Sequence, residues 1–251
     1  MDISGIQYKM IVMDNVYLEK SLEDMAFRAK SIWEEKAWDV LVKRDVFTVA
    51  LSGGKTPCWL FQALVENKDH LPWEKTCIFQ VDERYVSHYH HASNFRMINE
   101  SLLIKVPVLR SNIFSIPVDY KNIEAASREY EKTLISFFAD SGKMIRFDLT
   151  VLGMGIDGHT ASIFPGEAAE REKQRNVCSV FLDDIKENRI TVTFPVINNS
   201  AVILVMIAGS SKAETVKKLF NDKEWDSPVQ KLNPVDGKIY YILDKDAAAL
   251  L

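Results

Sequence analysis

The sequence is poor in the residues that typify secreted, fibrous or membrane-embedded proteins. Only three cysteines occur among its 251 residues, Cys58, Cys77 and Cys178, and none forms a CxxC pair. A disulfide framework is therefore not expected, and a reducing compartment, the cytoplasm, is the predicted location. Ten glycines and eight prolines are too few for a low-complexity chain. No apolar run approaches the roughly 18–20 residues that a membrane helix needs, so no membrane association is expected.

The chain also lacks an excess of basic residues. Its formal charge is −4, which disfavours nucleic acid as a partner, because nucleic-acid-binding domains display a basic stripe. A local cluster of Lys and Arg can still bind a small anion. With 47% hydrophobic and 26% charged residues, the length fits a single domain over 1–251. A monomer or a weak homo-oligomer is expected.

Short apolar runs alternate with amphipathic patterns along the whole chain. Leu22, Met25, Ala29, Ile32 and Trp33 recur at steps of three and four, as on one face of a helix. Strands alternating with helices predict the α/β class, a doubly wound and mostly parallel sheet with helices on both faces. The predicted strands are 8–13, 47–51, 76–81, 112–116, 147–152, 190–194, 201–208 and 239–243, and the predicted helices begin near 18, 57, 93, 123 and 212.

Four of these predicted strands are followed by polar or glycine-rich motifs. The motifs are SGGKTP (52–57), DER (82–84), GMGIDGHTAS (153–162) and GSSK (209–212). In an open parallel sheet, ligands bind beyond the carboxyl ends of the strands. The four motifs together therefore predict an active site at that edge.

The first motif suits a phosphate. Gly53 and Gly54 allow the backbone to approach a ligand, and a helix opened by Pro57 would present free N–H groups and a positive dipole end. A nucleotide P-loop is disfavoured, because Val49 stands where that motif requires glycine. A simple tight turn is the remaining alternative.

The third motif contains G-x-G-x-x-G, which resembles a dinucleotide fingerprint, but Pro165 leaves no room for the long helix that would hold a pyrophosphate. His159 is the more informative residue, because an imidazole ordinarily titrates near neutral pH and suits general-base chemistry. Asp157 either orients this imidazole or braces its own loop.

Two basic residues at the other strand ends are candidate anion ligands. Arg84 could bind an oxyanion or phosphate through its fork of donors, or close the loop through a local ion pair. Lys212 lies in the first turn of a predicted helix, where a cation is disfavoured unless an anion binds there. Ser211 and Glu214 have the spacing of a capping box.

No metal site is expected. His88, His90 and His91 are clustered, but no cysteine or carboxylate joins them at ligand spacing, so a solvated loop is the preferred interpretation.

Taken together, these motifs resemble those of the 6-phosphogluconolactonase family, within the wider superfamily of sugar-phosphate isomerases and glucosamine-6-phosphate deaminases. The resemblance covers nearly the whole chain. The segments that carry it are LSGGKTP (51–57), VDERYV (81–86), SNFRM (93–97), LGMGIDGHTASIFPG (152–166), RITVTFPVINNS (189–200) and IAGSSKAETV (207–216).

The resemblance implies a small β region added to the doubly wound fold. It also implies hydrolysis of 6-phosphogluconolactone to 6-phosphogluconate, in the oxidative pentose phosphate pathway, without a metal or organic cofactor. The substrate would be a phosphorylated sugar lactone and His159 the base that activates water. The candidate catalytic residues are His159, Asp157 and Arg84, and the candidate substrate- or phosphate-binding residues are Gly53, Gly54, Lys55, Thr56, Asp82, Arg189 and Lys212.

The chain departs from the family pattern at two places. Lys55 stands where the family commonly has a small residue, and 87–91 replaces a loop that usually carries proline and an acidic residue. The deaminase branch has Glu five residues after its histidine, whereas this chain has Phe164. An isomerase or deaminase is therefore disfavoured. A non-catalytic sugar-phosphate sensor is disfavoured as well, because the chain retains His159 and shows neither a helix-turn-helix extension nor a basic tail.

Overall fold

The structure is a computed structural model that describes residues 15–139, 144–182 and 187–251. The strand predicted at 8–13 lies outside the described residues. The strands are β1 (Val16–Glu19), β2 (Phe47–Leu51), β3 (Thr76–Gln80), β4 (Asp82–Arg84), β5 (Ile113–Phe114), β6 (Leu149–Leu152), β7 (Val177–Leu182), β8 (Glu187–Val192), β9 (Val202–Ile207) and β10 (Lys238–Asp244). The α-helices are α1 (Leu22–Leu41), α2 (Lys55–Glu66), α3 (Asn94–Ser101), α4 (Ile123–Ala139), α5 (Ala168–Arg171), α6 (Phe194–Ile197) and α7 (Ala213–Asn221).

Seven strands form one sheet in the order β1-β10-β9-β6-β2-β3-β5, and every pairing in it is parallel. From β2 the chain adds β3 and then β5 on one side. It returns to place β6 against the other side of β2, and then adds β9 and β10 outward. The strand order therefore reverses between β2 and β6, which makes this pair the topological switch point of the sheet.

Helices cover both faces of this sheet, as predicted. Val49 and Leu51 of β2 pack in one apolar cluster with α1, α2 and α3, whereas Ala50 belongs to a second cluster with α4, α7 and the smaller sheet. Alternate residues of a strand point to opposite faces, so a strand buried on both sides reads as a continuous apolar run. The doubly wound α/β class is confirmed.

A second sheet of three antiparallel strands, in the order β4-β8-β7, is the small β region that the resemblance implies. Arg84 of β4 lies opposite Arg189 of β8. The strand predicted at 190–194 is shifted: it runs over Glu187–Val192, and Thr193 occupies the N-cap position of α6. Sequence reasoning assigned no strand to β4 or β7.

Other boundaries differ from prediction by a few residues. The helix expected to open at Pro57 begins two residues earlier, at Lys55. The first helix begins at Leu22 and not near Leu18, which lies in β1. Ser21 caps this helix by accepting a hydrogen bond from the Asp24 backbone at 3.1 Å, which fixes its start.

Within the described ranges, no helix is long and apolar enough to cross a membrane. All three cysteines are unpaired, and two of them, Cys77 and Cys178, are buried. The expectation that the cysteines form no disulfide framework is confirmed.

One buried hydrogen bond links α4 to the central sheet and provides a test of the packing. The Tyr130 hydroxyl, which is fully buried, donates to the Gln80 carbonyl at 2.7 Å. We expect Tyr130→Phe to lower the free energy of unfolding by about 1–3 kcal/mol, because a buried acceptor loses its donor. Urea denaturation measures this difference. Tyr89→Phe is the control, since Tyr89 is 89% exposed and its change should stay within about 0.5 kcal/mol. Equal effects of the two substitutions would contradict this account.

Candidate active site

The four motifs found at strand ends converge on one cavity of about 380 Å³. They follow β9, β6, β2 and β3, which are consecutive neighbours in the sheet, with DER forming β4 one residue beyond β3. Nine of the ten candidate residues line the cavity: Gly53, Gly54, Lys55, Thr56, Asp82, Arg84, His159, Arg189 and Lys212. The tenth, Asp157, contacts the His159 imidazole and is not part of the lining.

The His159 imidazole is held through one of its two nitrogens. Nδ1 lies 2.6 Å from Oδ1 of Asp157, and the same oxygen accepts the His159 backbone N–H at 3.1 Å. Burial acts to raise the pKa of Asp157, but the hydrogen bonds and charge of His159 outweigh it and hold that pKa below its usual value. The ionised carboxylate can only accept, so Nδ1 carries a proton, and in the neutral form of this imidazole the lone pair is on Nε2. Asp157 thus both orients the imidazole and braces its own loop.

Glycine at position 155 is required by this arrangement. A Cβ there would lie 2.1 Å from Nδ1 of His159 and 2.4 Å from Oδ1 of Asp157. The Gly155 N–H donates to the His159 carbonyl at 2.8 Å, and the Gly158 N–H donates to the Gly155 carbonyl at 3.2 Å. The loop is therefore closed on itself, and these two amides are already engaged.

The glycine loop after β2 leads into the free N-terminus of α2. Gly54 caps this helix at φ +107°, a backbone region that disfavours residues with a side chain, and no side chain caps the helix. The first N–H groups of α2 therefore face the cavity beside Lys55 and Thr56. At Gly53, a Cβ would lie 1.9 Å from Oδ1 of Asn94.

Asn94 and Arg84 are positioned by a fully buried carboxylate, that of Glu83. A buried charge is costly unless hydrogen bonds satisfy it. Glu83 accepts five of them, from the Gln80 amide, the Ser93 hydroxyl and three backbone N–H groups, those of residues 84, 94 and 95, at 2.7–3.0 Å. These bonds fix β4 against the start of α3.

Two buried polar atoms at the cavity lack partners. Nη1 of Arg84 donates to the Ala92 carbonyl at 2.6 Å, but its Nε has no hydrogen-bond partner. The hydroxyl of Ser52, which is 4% exposed, has none either. The local ion pair considered for Arg84 is wrong, because Arg84 makes none with the residues described. Buried donors without partners are rare in proteins, so an ordered water or a ligand is expected to bind these two.

Arg189 is held beside the same cavity from two sides. Its Nε and Nη2 donate to Oε2 of Glu187 at 3.1 and 2.6 Å, and its guanidinium carbon lies 5.3 Å from the centre of the Phe164 ring. The Phe164 ring also lies 4.3 Å from the imidazole ring of His159. One aromatic side chain thus contacts both groups.

Lys212 reaches the cavity from the strand end after β9. No ion pair of Lys212 occurs in the described part of the chain. Burial lowers its pKa, and the negative charge of Asp157 partly offsets this effect. The capping box predicted from Ser211 and Glu214 is wrong. Residues 210–212 form a 3₁₀ turn, Lys212 occupies the cap position of α7, and no side chain caps that helix.

The histidine cluster after β4 has structural contacts. His88 bonds to the Ile116 carbonyl at 2.9 Å and packs on Phe95, while the ring centres of His90 and His91 lie 4.2 Å apart with their planes tilted by 34°. Across the residues that the structure covers, no three His, Cys, Asp or Glu side chains gather as a metal would require.

Sequence reasoning missed several residues of the cavity wall. Asn94 belongs to the SNFRM segment, but the sequence does not indicate that its side chain lies against Gly53 on the cavity wall. Ala161 adopts φ +52°, an uncommon value for a residue with a side chain. The lining residues outside the list of ten candidates are Ser52, Pro57, Asn94, Gly153, Met154, Gly155, Ala161, Ala208 and Ser211.

Fold and cavity define a doubly wound α/β protein whose cation-lined site lies at the switch point of the sheet. A family profile described as glucosamine-6-phosphate isomerases/6-phosphogluconolactonase matches residues 20–241. The chain therefore belongs to this family.

Individual relatives agree. The chain is 37% identical to a probable 6-phosphogluconolactonase 3, chloroplastic, of Oryza sativa subsp. indica, over 85% of this chain and 68% of the relative. It is 36% identical to the 6-phosphogluconolactonase of Synechocystis sp., over 82% of this chain and 85% of the relative. The crystal structure of 6-phosphogluconolactonase from Thermotoga maritima is similar with a TM-score of 0.79 and 29% identity, over 91% of this chain and 99% of that one.

The imidazole geometry can be tested by substitution of two glycines in one loop. We expect Gly155→Ala to displace the imidazole from Asp157, since the added Cβ would occupy its place. Nitrogen NMR shifts of the His159 ring, assigned by comparison with His159→Ala, should then lose the signature of a protonated Nδ1. Gly153→Ala is the matched control, because a Cβ there meets nothing within 4 Å. Unchanged ring shifts in Gly155→Ala would show that the contact is not tight.

Proposed function

We propose that this protein hydrolyses 6-phosphogluconolactone to 6-phosphogluconate, with His159 as the general base, as a step of the oxidative pentose phosphate pathway. The observation that carries the proposal is the His159–Asp157 pair, which leaves Nε2 of the imidazole free on the wall of a cavity that also holds Arg84, Arg189 and Lys212. Family membership supports the same activity.

His159 takes a proton from water at Nε2 as the water oxygen attacks the lactone carbonyl carbon. A tetrahedral intermediate forms, and its collapse breaks the bond between the carbonyl carbon and the ring oxygen. The imidazolium then returns the proton to this departing oxygen. Asp157 acts through His159, because its carboxylate keeps Nδ1 protonated and stabilises the transient positive charge.

The negative charge that builds on the carbonyl oxygen needs a preorganised donor. The backbone N–H groups of Gly155 and Gly158 are unsuitable, because both are already engaged within the loop. Arg84 offers a charged donor, Nε, that has no other partner. We assign the carbonyl oxygen to Arg84 for this reason.

The phosphate of the substrate is assigned to the N-terminus of α2 and to Lys212. Uncapped N–H groups at Gly54, Lys55 and Thr56 together with the helix dipole favour an anion there. Lys212 is partly buried and forms no ion pair with the described residues, so a phosphate would add to the partial compensation by Asp157. Fixing the phosphate end orients the distant carbonyl toward His159.

Sugar hydroxyls are assigned to Asp82 and Ser52. Asp82 is 4% exposed and accepts a hydrogen bond from Ser162 at 2.6 Å through Oδ2, which leaves Oδ1 available. The unpartnered Ser52 hydroxyl adds a further donor. Arg189, which shares the cavity, is assigned to the anionic part of the substrate.

An isomerase or deaminase is a weaker proposal, because the side chain packed against the imidazole is the hydrocarbon ring of Phe164 and cannot carry a proton. A non-catalytic sensor would bind 6-phosphogluconate without accelerating lactone opening. The cytoplasmic location and a monomer or weak homo-oligomer stay predictions.

Removal of the proposed base is the first test. His159→Ala should lower kcat for freshly made 6-phosphogluconolactone by roughly 10²–10⁴-fold, because general-base catalysis contributes about that factor. Proton release followed with a pH indicator measures the rate. His70→Ala, at an exposed histidine that does not line the cavity, is the control. A loss below about threefold in folded His159→Ala would remove this residue from the role.

The phosphate assignment has its own test. Lys212→Met should raise KM for the phosphorylated lactone by about 10–100-fold, since a hydrogen bond to a charged group contributes about 1.5–3 kcal/mol. KM for unphosphorylated gluconolactone should change little. Lys217→Met, an exposed position on the same helix, controls for the loss of a charge. An equal rise for both lactones would show that Lys212 does not contact the phosphate.

A further inference from the structure

Phe164 contacts two charged or chargeable groups of the cavity at once. Its ring centre is 4.3 Å from that of His159, with 34° between the ring planes, and 5.3 Å from the guanidinium carbon of Arg189. Phe164 itself is absent from the residues that line the cavity. Its place is therefore behind the two polar groups and not in contact with substrate.

Each of these two side chains otherwise has one hydrogen-bond partner among the described residues. His159 is held by Asp157 at Nδ1, and Arg189 by Glu187 at Nε and Nη2. A hydrogen bond at one ring nitrogen leaves the imidazole free to tilt about that contact. Packing against the Phe164 ring restricts this tilt and so sets where Nε2 points.

The Phe164 ring is well placed to act as a fixed support. It packs against the apolar cluster that contains Ile163, and the Phe164 carbonyl accepts the N–H of Glu167 at 3.2 Å. Beyond it, the Gly166 N–H donates to Glu170 at 2.7 Å, and Glu170 is paired with Lys231. The segment is therefore anchored on both sides of the ring.

We propose that Phe164 is a positioning residue that aligns the His159 imidazole and the Arg189 guanidinium with respect to each other. This inference rests on the proposed lactone hydrolysis. When His159 gains a proton from water, the aromatic face also favours the positive charge on the imidazolium. The same face favours the guanidinium, so one side chain sets the geometry of the base and of a binding cation.

The experiment compares Phe164→Leu, Phe164→Tyr and Phe220→Leu. We expect Phe164→Leu to lower kcat by about 10–100-fold, since a base displaced by about 1 Å loses that much, and to raise KM through Arg189. Phe164→Tyr keeps the aromatic face and should recover most of the rate. Phe220→Leu is the matched control, because Phe220 is also partly buried and packs on Tyr241 at 5.4 Å, outside this cavity.

Nitrogen NMR of the His159 ring, without substrate, supplies a readout that does not depend on activity. The ring signals should shift or broaden in Phe164→Leu and stay unchanged in Phe220→Leu. Should Phe164→Leu fail to fold, Phe164→Met takes its place. Wild-type ring signals together with kcat within twofold of wild type in the Leu or Met variant would overturn the inference. If the wild type does not open the lactone, the proposed function fails, and the NMR comparison alone then decides whether Phe164 positions the imidazole.

Discussion

The parallel pairing of β2 with β6 is the constraint on which the site depends. Val49–Leu51 pairs with Leu149–Val151 although about 100 residues separate the two segments. Because the chain winds outward from this pair in opposite directions, the loops that leave the two strands diverge and open a crevice between them. The glycine loop and the His159 loop form its two walls, and the neighbouring strands β3 and β9 bring DER and GSSK to its ends.

A second constraint keeps the charge of Arg84 available to a ligand. Glu83 adjoins Arg84 in sequence and could have neutralised it through an ion pair. Five neutral donors saturate the Glu83 carboxylate instead, and only the backbone N–H of Arg84 is among them. These five hydrogen bonds thus offset the free-energy cost of burying this carboxylate. Among the described residues, the guanidinium makes one hydrogen bond, to a neutral carbonyl, and no carboxylate pairs with its charge.

Local patterns predicted the central sheet well, because strands buried on both faces read as apolar runs. The same logic failed for the smaller sheet. Asp82–Arg84 is a charged triplet, so β4 has no apolar signature, and its pairing with β8 joins residues about 100 positions apart. β7 reads VCSVFL, which is apolar apart from Ser179, but no strand was assigned to it. Convergence of the four motifs was predictable from the strand-end rule. The lack of a partner for the Ser52 hydroxyl was not predictable, because it depends on the positions of groups that are distant in the sequence.

The net charge of this chain is −4, which by itself does not favour an anionic ligand. The basic side chains around the cavity do favour one, and this local arrangement is the more informative. Arg84 and Arg189 are direct register partners across β4 and β8, an arrangement that destabilises a sheet when both side chains carry the same charge. Lys55 and Lys212 bring the cations that line the cavity to four, and neither lysine forms an ion pair with the described residues. Glu187 compensates Arg189 only. Asp82 is a carboxylate on the same wall, and Asp157 acts on the charge of Lys212. A bound anion would offset the repulsion that remains among the cations and would therefore stabilise the fold.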